Sequence, residues 1–406
     1  MALSAATKLS DPAVSGHPGP ALPPQCMHEG HSGHSMSLRA FIELLSARGE
    51  MKRISQPVDW KIELGEITRN HRGPLLFENI RDYPGQRVFT NGLGNFSSTA
   101  LALGLQPEKG RKRVIEEVRR RLENPLKPMM VDSGPVMENV IEGPDINLLD
   151  FPSPHWSRYD AGRYIGTWHA NVTRDPETGC RNVGVYRMQL LGPKQTTVST
   201  SVKSHLGRQF AKAERKGQPL EMAMVIGAPE PVVMAAGSGY PAGCDEYDLA
   251  GAIGGSAVPL VKCRTVDLEV PAESEIVLEG TLQPGARVHD GPYFDYAGAP
   301  TENPGGYVFD VTCVMFRNRP IFRGAAVGHP AAEDQQLFAL LAEFGLFDFH
   351  DSRPRHWIQA GLIERRLFRL FQSAGRAHPP AFLRKIMKRS PVVITQHGHT
   401  DQGAGR

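Results

Sequence analysis

Apolar residues first recur at helical spacing just after residue 36. Leu38, Phe41, Ile42 and Leu45 make one stripe, with Ser37 placed to cap its start and Gly49 placed to end it. Val114, Val118 and Leu122 recur at spacing four, which predicts a second helix over residues 109–124, stopped by Pro125. Strand-like runs such as Val88-Phe89-Thr90 lie between them. Residues 36–125 therefore read as a small α/β domain.

Over residues 126–328 the period changes from helical to alternating. Residues 265–270 alternate polar and apolar, as a half-buried strand does. Residues 307–317 form a long strand candidate, and Asn318-Arg319-Pro320 turns it into a short run, Ile321-Phe322-Arg323. One helix, near 206–216, interrupts the block. Such a pattern predicts a barrel or sandwich with helical insertions. Another helix is expected over 332–343, and an amphipathic one over 362–371, within a helical linker and tail spanning 329–406.

Composition refines this at the two ends. Residues 1–35 are rich in Pro, Gly, Ser and His without periodicity, which predicts a disordered leader. His28, His31 and His34 stand three apart there, a spacing that an unstructured leader explains as well as a loose metal site. The chain is 40% hydrophobic and 22% charged, with net charge +3. From Asp351 onward, 11 Lys/Arg face 3 Asp/Glu, so the remaining 350 residues carry −5. The main body gives no reason to expect nucleic acid as a partner. No apolar run is long enough to span a bilayer. Five scattered cysteines without C-x-x-C spacing read as reduced, and the expected location is the cytoplasm.

Three groups of residues could carry chemistry. Alternation along 182–191 would set Val183, Val185, Arg187 and Gln189 on one face and Asn182, Gly184, Tyr186 and Met188 on the other. Arg187 is then flanked by valines, and a buried guanidinium needs an anion. Asp290 and Asp295 bracket a Gly-Pro pair that would turn both carboxylates toward one locus. Mutual repulsion would raise one pKa while Arg187 lowers the other, giving a proton donor and an orienting anion. Two surface aspartates around a turn are the alternative. Asn182, His205 and Glu246 offer an amide oxygen, an imidazole and a carboxylate, a set suited to Mn²⁺ or Mg²⁺ beside phosphate oxygens. Their spacing does not make a metal motif by itself. The chain lacks the phosphate-binding, dinucleotide-binding, nucleophile-elbow and H-E-x-x-H motifs, which argues against NTPases, Rossmann dehydrogenases, serine hydrolases and zincins.

Taken in order, these residues resemble a family. Asn-Val-Gly-Val-Tyr-Arg at 182–187 resembles the prenylated-flavin-binding strand of the UbiD-type reversible decarboxylases. Ser-His-Leu-Gly at 204–207, Asp-Glu-Tyr-Asp-Leu-Ala-Gly-Ala at 245–252, Leu-Val-Lys-Cys at 260–263, the run at 270–280 and the Asp-Gly-Pro segment follow in the same order. The resemblance covers roughly residues 37–345.

It implies an α+β (α/β) protein: a split β-barrel that binds prenylated FMN over residues 126–328, the smaller N-terminal α/β domain, and a truncated helical C-terminal segment. The family's metal ligands fall on Asn182, His205 and Glu246, and its acid–arginine–acid set on Asp290, Arg187 and Asp295. Backbone around Gly184, Val185 and Tyr186, with Ser204, would lie along the cofactor. The implied cofactors are prenylated FMN and Mn²⁺ or Mg²⁺, with K⁺ as a further candidate. The implied reaction is reversible decarboxylation of an aromatic or α,β-unsaturated acid, releasing CO₂. Asp295 would protonate the carbon, and a flavin prenyltransferase would supply the cofactor. Two departures stand out. Asp290 replaces the usual glutamate, and after His350 neither the acidic Val-Asp-Glu-Asp-like motif nor the cofactor-side lysine is found, where the family builds its homo-oligomer. A non-catalytic flavin-binding or accessory subunit is the alternative reading. Simple flavin redox chemistry is a third reading, and it gives Arg187 and its acids no role.

Overall fold

The computed structural model describes residues 35–240, 243–329 and 332–346. The histidine-rich leader up to residue 34, Cys26, the helix expected over 362–371 and the basic tail lie outside the described residues.

Helix α1 (Leu38–Ala47) forms as its apolar stripe dictates. Ser37 accepts a hydrogen bond from the Ala40 amide, and Leu38, Phe41, Ile42 and Leu45 are buried. Each such side chain contributes roughly 1.5–3 kcal/mol by leaving water. Strand β1 (Lys52–Ile54), α2 (Glu63–Asn70), β2 (Leu75–Phe77), β3 (Arg87–Thr90), α3 (Phe96–Ala102) and α4 (Arg111–Leu122) complete the N-terminal region. Val114 and Val118 are the buried face of α4.

Strands β4 (Met129–Met130) and β5 (Asn139–Glu142) lead into β6 (Tyr164–Gly166), β7 (His169–Arg174), β8 (Arg181–Gly184), β9 (Met188–Gln189) and β10 (Gln195–Val198). Helix α5 (His205–Arg215), β11 (Leu220–Ile226), α6 (Glu230–Ala236), α7 (Glu246–Gly254), β12 (Pro259–Lys262) and β13 (Glu269–Pro271) follow. The long pair β14 (Ile276–Phe294) and β15 (Pro300–Phe316), then β16 (Ile321–Arg323) and α8 (Glu333–Phe344), complete the described chain.

Seven strands build the main sheet in the order β10-β15-β14-β11-β7-β8, with β5 also paired to β15. Every pairing in it is antiparallel. Four register shifts along β14 and β15 bend this pair, and the sheet curls into a half-barrel. The N-terminal sheet, β1-β2-β3-β16, takes its last strand from far along the chain. After β15, Arg319 at φ 49° reverses the chain, and Ile321–Arg323 runs parallel to β3. Among the described residues, no helix is long and apolar enough to cross a membrane. Cys180, Cys244, Cys263 and Cys313 are free.

Two expected strands differ from the structure. The strand read over 265–270 survives only in β13. The buried Glu279 carboxylate accepts from the amides of Arg264 and Thr265 and from the Thr265 hydroxyl, which bends this stretch out of a ladder. The run at 182–191 is interrupted, with β8 in the main sheet and β9 paired to β6 in a separate two-stranded sheet.

Candidate active site and cofactor cradle

The interruption at Val185, Tyr186 and Arg187 creates the site. Gly184 closes β8, and a Cβ there would lie 2.7 Å from the Tyr186 ring. Glycine therefore lets Tyr186 fold back over the strand end, and strict alternation of faces fails. Asn182 and Val183 are both buried although they point to opposite sides, while Val185 is exposed. Beyond the fold-back, the Arg187 side chain is only 12% exposed and points toward β14 and β15.

Arg187 Nε lies 2.7 Å and a terminal nitrogen 2.6 Å from the same oxygen of Asp290. The other Asp290 oxygen accepts from the Thr197 hydroxyl at 2.6 Å, so this fully buried acid has charged or hydroxyl donors on both oxygens. The second terminal nitrogen of Arg187 reaches Asp295 at 3.2 Å. Thr301 stands between the two, accepting from that nitrogen at 2.5 Å and donating to Asp295 at 3.0 Å. The Tyr293 ring lies under the guanidinium, 5.2 Å away.

The structure therefore brings Arg187, Asp290 and Asp295 together, by a different local route from the turn read in the sequence. Asp290 and Gly291 lie within β14 at a register shift against β15. Gly291 has φ 113°, and a Cβ would sit 2.8 Å from the Thr301 carbonyl. The backbone can kink there only because the residue is glycine. Electrostatics differ from expectation as well. Burial is the first cause that raises the Asp295 pKa, with Arg187 opposing it and Asp290 a lesser contributor.

His205 and Glu246 also come together, although far apart in sequence, and Asn182 lies on β8 next to Val183, whose amide Glu246 binds. His205 opens α5 behind its N-cap Ser204, and Glu246 opens α7 behind Asp245. One Glu246 oxygen accepts from the Val183 amide at 2.9 Å. The other lies 3.9 Å from His205 Nδ1, too far for a hydrogen bond. Burial raises the Glu246 pKa to about 7 and lowers that of His205. Among the described residues no three His, Cys, Asp or Glu side chains group as a metal site, and the third donor here is the Asn182 amide. One imidazole, one carboxylate and one amide beside the amino end of α5 fit a hard divalent cation next to a phosphate. Tyr186 shares this corner, since its hydroxyl accepts from the Leu206 amide and has Asn182 and Ser204 as hydrogen-bond partners.

Thr197 and Thr301 went unread in the sequence, because a β-branched hydroxyl residue is ordinary in a strand. Gln189, which accepts from the Gly291 amide, and Tyr164, whose ring is 4.3 Å from that of Tyr293, carried no signal either.

Comparison with known proteins places the chain in a family. Residues 129–330 match the 3-octaprenyl-4-hydroxybenzoate carboxy-lyase Rift-related domain, and residues 42–118 match the N-terminal domain of the same carboxy-lyase. Pyrrole-2-carboxylic acid decarboxylase of Pseudomonas aeruginosa is 32% identical over 77% of this chain and 66% of its own length. The UbiD-class enzyme HmfF from Pelotomaculum thermopropionicum, in an evolved dimeric form in complex with prFMN, is 33% identical with a TM-score of 0.68, over 77% of this chain and 70% of that one. Vanillic acid decarboxylase of Sedimentibacter hydroxybenzoicus, in closed form, is 30% identical with a TM-score of 0.71, over 75% of this chain and 67% of that one. The chain spans between 64% and 71% of the length of the curated relatives it matches. With both domains of the family in order and 36% identity over 71% of one relative, the chain belongs to the UbiD-type family of prenylated-FMN-dependent decarboxylases.

Proposed function

We propose that this protein decarboxylates an aromatic, heteroaromatic or α,β-unsaturated carboxylic acid, reversibly, with prenylated FMN and a divalent cation. The observation that carries the reading is Arg187, largely buried, held between Asp290 and Asp295 one residue after Tyr186, whose hydroxyl reaches the corner of Asn182, His205 and Glu246. When bound, the modified flavin supplies the electron sink that makes loss of CO₂ feasible. Asn182, His205 and Glu246 would hold Mn²⁺ or Mg²⁺ against its phosphate.

The side chains supply binding and protons. Asp295, largely buried and with a pKa raised first by that burial, would deliver a proton to the carbon that loses CO₂. Arg187 neutralises the carboxylate left behind and fixes its direction, while Asp290 and Thr197 fix Arg187. In the carboxylation direction the same carboxylate takes the proton back. This construction favours an enzyme over a non-catalytic accessory subunit, which has no use for a buried arginine shared by two acids. The reading carries a cytoplasmic location, beside the flavin prenyltransferase that makes the cofactor.

Production together with a flavin prenyltransferase tests the proposal. The expected result is a bound prenylated flavin by mass spectrometry and CO₂ release from at least one acid of a panel spanning phenolic, pyrrole, furan and cinnamic acids. Arg187→Ala should lose turnover and keep its fold. Full activity in that variant overturns the assignment of the site.

A further inference from the structure

The segment that carries Asp295 is held from outside the sheet as well as within it. Strand β14 ends at Phe294, opposite Pro300, which has no N–H to offer. On its other side runs the loop that precedes β6. The Ala161 amide donates to the Pro292 carbonyl at 2.7 Å, and the Phe294 amide donates to Asp160 Oδ1 at 2.8 Å. This spacing is that of a short strand pairing, with a side-chain carboxylate in place of one backbone carbonyl. Tyr159 stacks on the Phe294 ring, 5.7 Å between centroids, and the Arg69 guanidinium lies 5.4 Å from the same ring.

Asp160 itself is 7% exposed, and its second oxygen, Oδ2, is buried without a hydrogen-bond partner. Its own backbone is fixed, since its amide donates to the Ser157 carbonyl and its carbonyl contacts His155 Nε2 at 2.9 Å. A buried carboxylate with one oxygen unpaired is costly, and surface loops rarely keep one. Burial pushes the Asp160 carboxyl up to about 6, with Arg69 and Arg187 as the charges that favour ionisation. Either protonation form leaves an oxygen to accept from Phe294.

We propose that Asp160 is a positioning residue for the proposed reaction: it holds the Phe294 peptide and so aims the neighbouring Asp295 at the reacting carbon. Opposite this clamp, Gly328 packs so closely on the Asp295 carbonyl that a Cβ there would sit 2.1 Å from it. The backbone is thus held on both sides of Asp295, at the Phe294 amide and at the Asp295 carbonyl, while Arg187 and Thr301 bind its carboxyl. The inference rests on the decarboxylase reading given above.

The test uses the full chain, produced with the flavin prenyltransferase, as Asp160→Asn, Asp160→Ala and Asp160→Glu. Asn keeps an acceptor at the same reach, so kcat within about threefold of the parent is expected. Ala removes the acceptor, and Glu pushes it one methylene too far. Both should lower kcat on the order of 100-fold, the scale of a misplaced reacting group, with KM and bound flavin little changed. Hydrogen–deuterium exchange across 292–297 should quicken in the Ala variant and stay slow in the Asn variant. Parental kcat in Asp160→Ala, or an Asn variant as impaired as Ala, overturns the proposal. Should the Ala protein not fold, Asp160→Glu carries the comparison, and parental kcat there overturns it equally. If the parent protein itself turns over no acid, the decarboxylase reading fails. The clamp is then judged by exchange alone, and unchanged exchange in Asp160→Ala overturns it.

Discussion

Arg187 grips Asp290 through two nitrogens, at 2.7 and 2.6 Å, but meets Asp295 at 3.2 Å with a threonine hydroxyl in between. The two acids are therefore not equivalent. Asp290 anchors the guanidinium, and Asp295, held at longer range, is the proposed proton donor. Asp295→Asn should reduce kcat by about 10²–10⁴-fold, the usual worth of a general acid, with flavin still bound. Asp290→Asn should act through stability as well, because Arg187 loses its nearest anion. A cost of about 1–3 kcal/mol is expected by chemical denaturation.

The pH dependence of turnover follows from burial. A buried carboxyl favours its protonated form, so the Asp295 pKa lies above its ordinary 3.8. The proton donor is present below that raised pKa and is lost as pH rises through it. The Thr301 hydroxyl donates to Asp295 and opposes the shift. Thr301→Val should therefore move the alkaline limb of the kcat profile to higher pH, whereas Thr301→Ser should leave it in place. A shift to lower pH in the Val variant contradicts the assigned hydrogen bond.

Cofactor loading should depend on the corner formed by Asn182, His205 and Glu246. If these residues hold a divalent cation against the phosphate, removing the cation with a chelator should weaken FMN binding, and Mn²⁺ should restore it. Glu246→Gln and His205→Ala should each weaken FMN binding at least about tenfold in a fluorescence-quenching titration, with little response left to Mn²⁺. Equal FMN affinity with and without the cation contradicts the arrangement.

Local rules made part of this molecule legible from sequence. Ser37 and the stripe Leu38–Phe41–Ile42–Leu45 specify α1 with nothing else present, because cap and period agree. The long β15 and its turn at Asn318–Arg319 were readable for the same reason. What escaped depends on partners distant in sequence. The break after Gly184 exists because the Tyr186 ring needs the space a Cβ would occupy. Glu279 dissolves the expected strand at 265–268 by capturing its amides from another element. Asp160, Thr197 and Thr301 acquire their roles only when loop, β10 and β15 converge on β14. The meeting of Arg187 with Asp290 was suggested by charge balance, and that of His205 with Glu246 weakly by donor chemistry and more firmly by family resemblance.

A final prediction concerns stability near α8. Asp334 is buried, with Oδ2 accepting from the Gly328 amide and the Gln335 side chain, and Oδ1 without a partner. Burial raises its pKa from 3.8 to about 7. Because the folded value lies above the unfolded one, the protonated carboxyl stabilises the fold fully below pH 3.8. That stability drains away as pH rises to about 7, where the group must ionise inside the protein. Asp334→Asn keeps an acceptor oxygen and removes the titration. The variant should match the parent near pH 4 and exceed it at pH 8, by at most about 4 kcal/mol. Urea denaturation of both proteins at the two pH values isolates this group, since the raised pKa values of Asp160 and Glu246 act on both proteins alike. An Asn variant less stable than the parent at pH 8 contradicts the raised pKa of Asp334. It would place a compensating cation beside Oδ1.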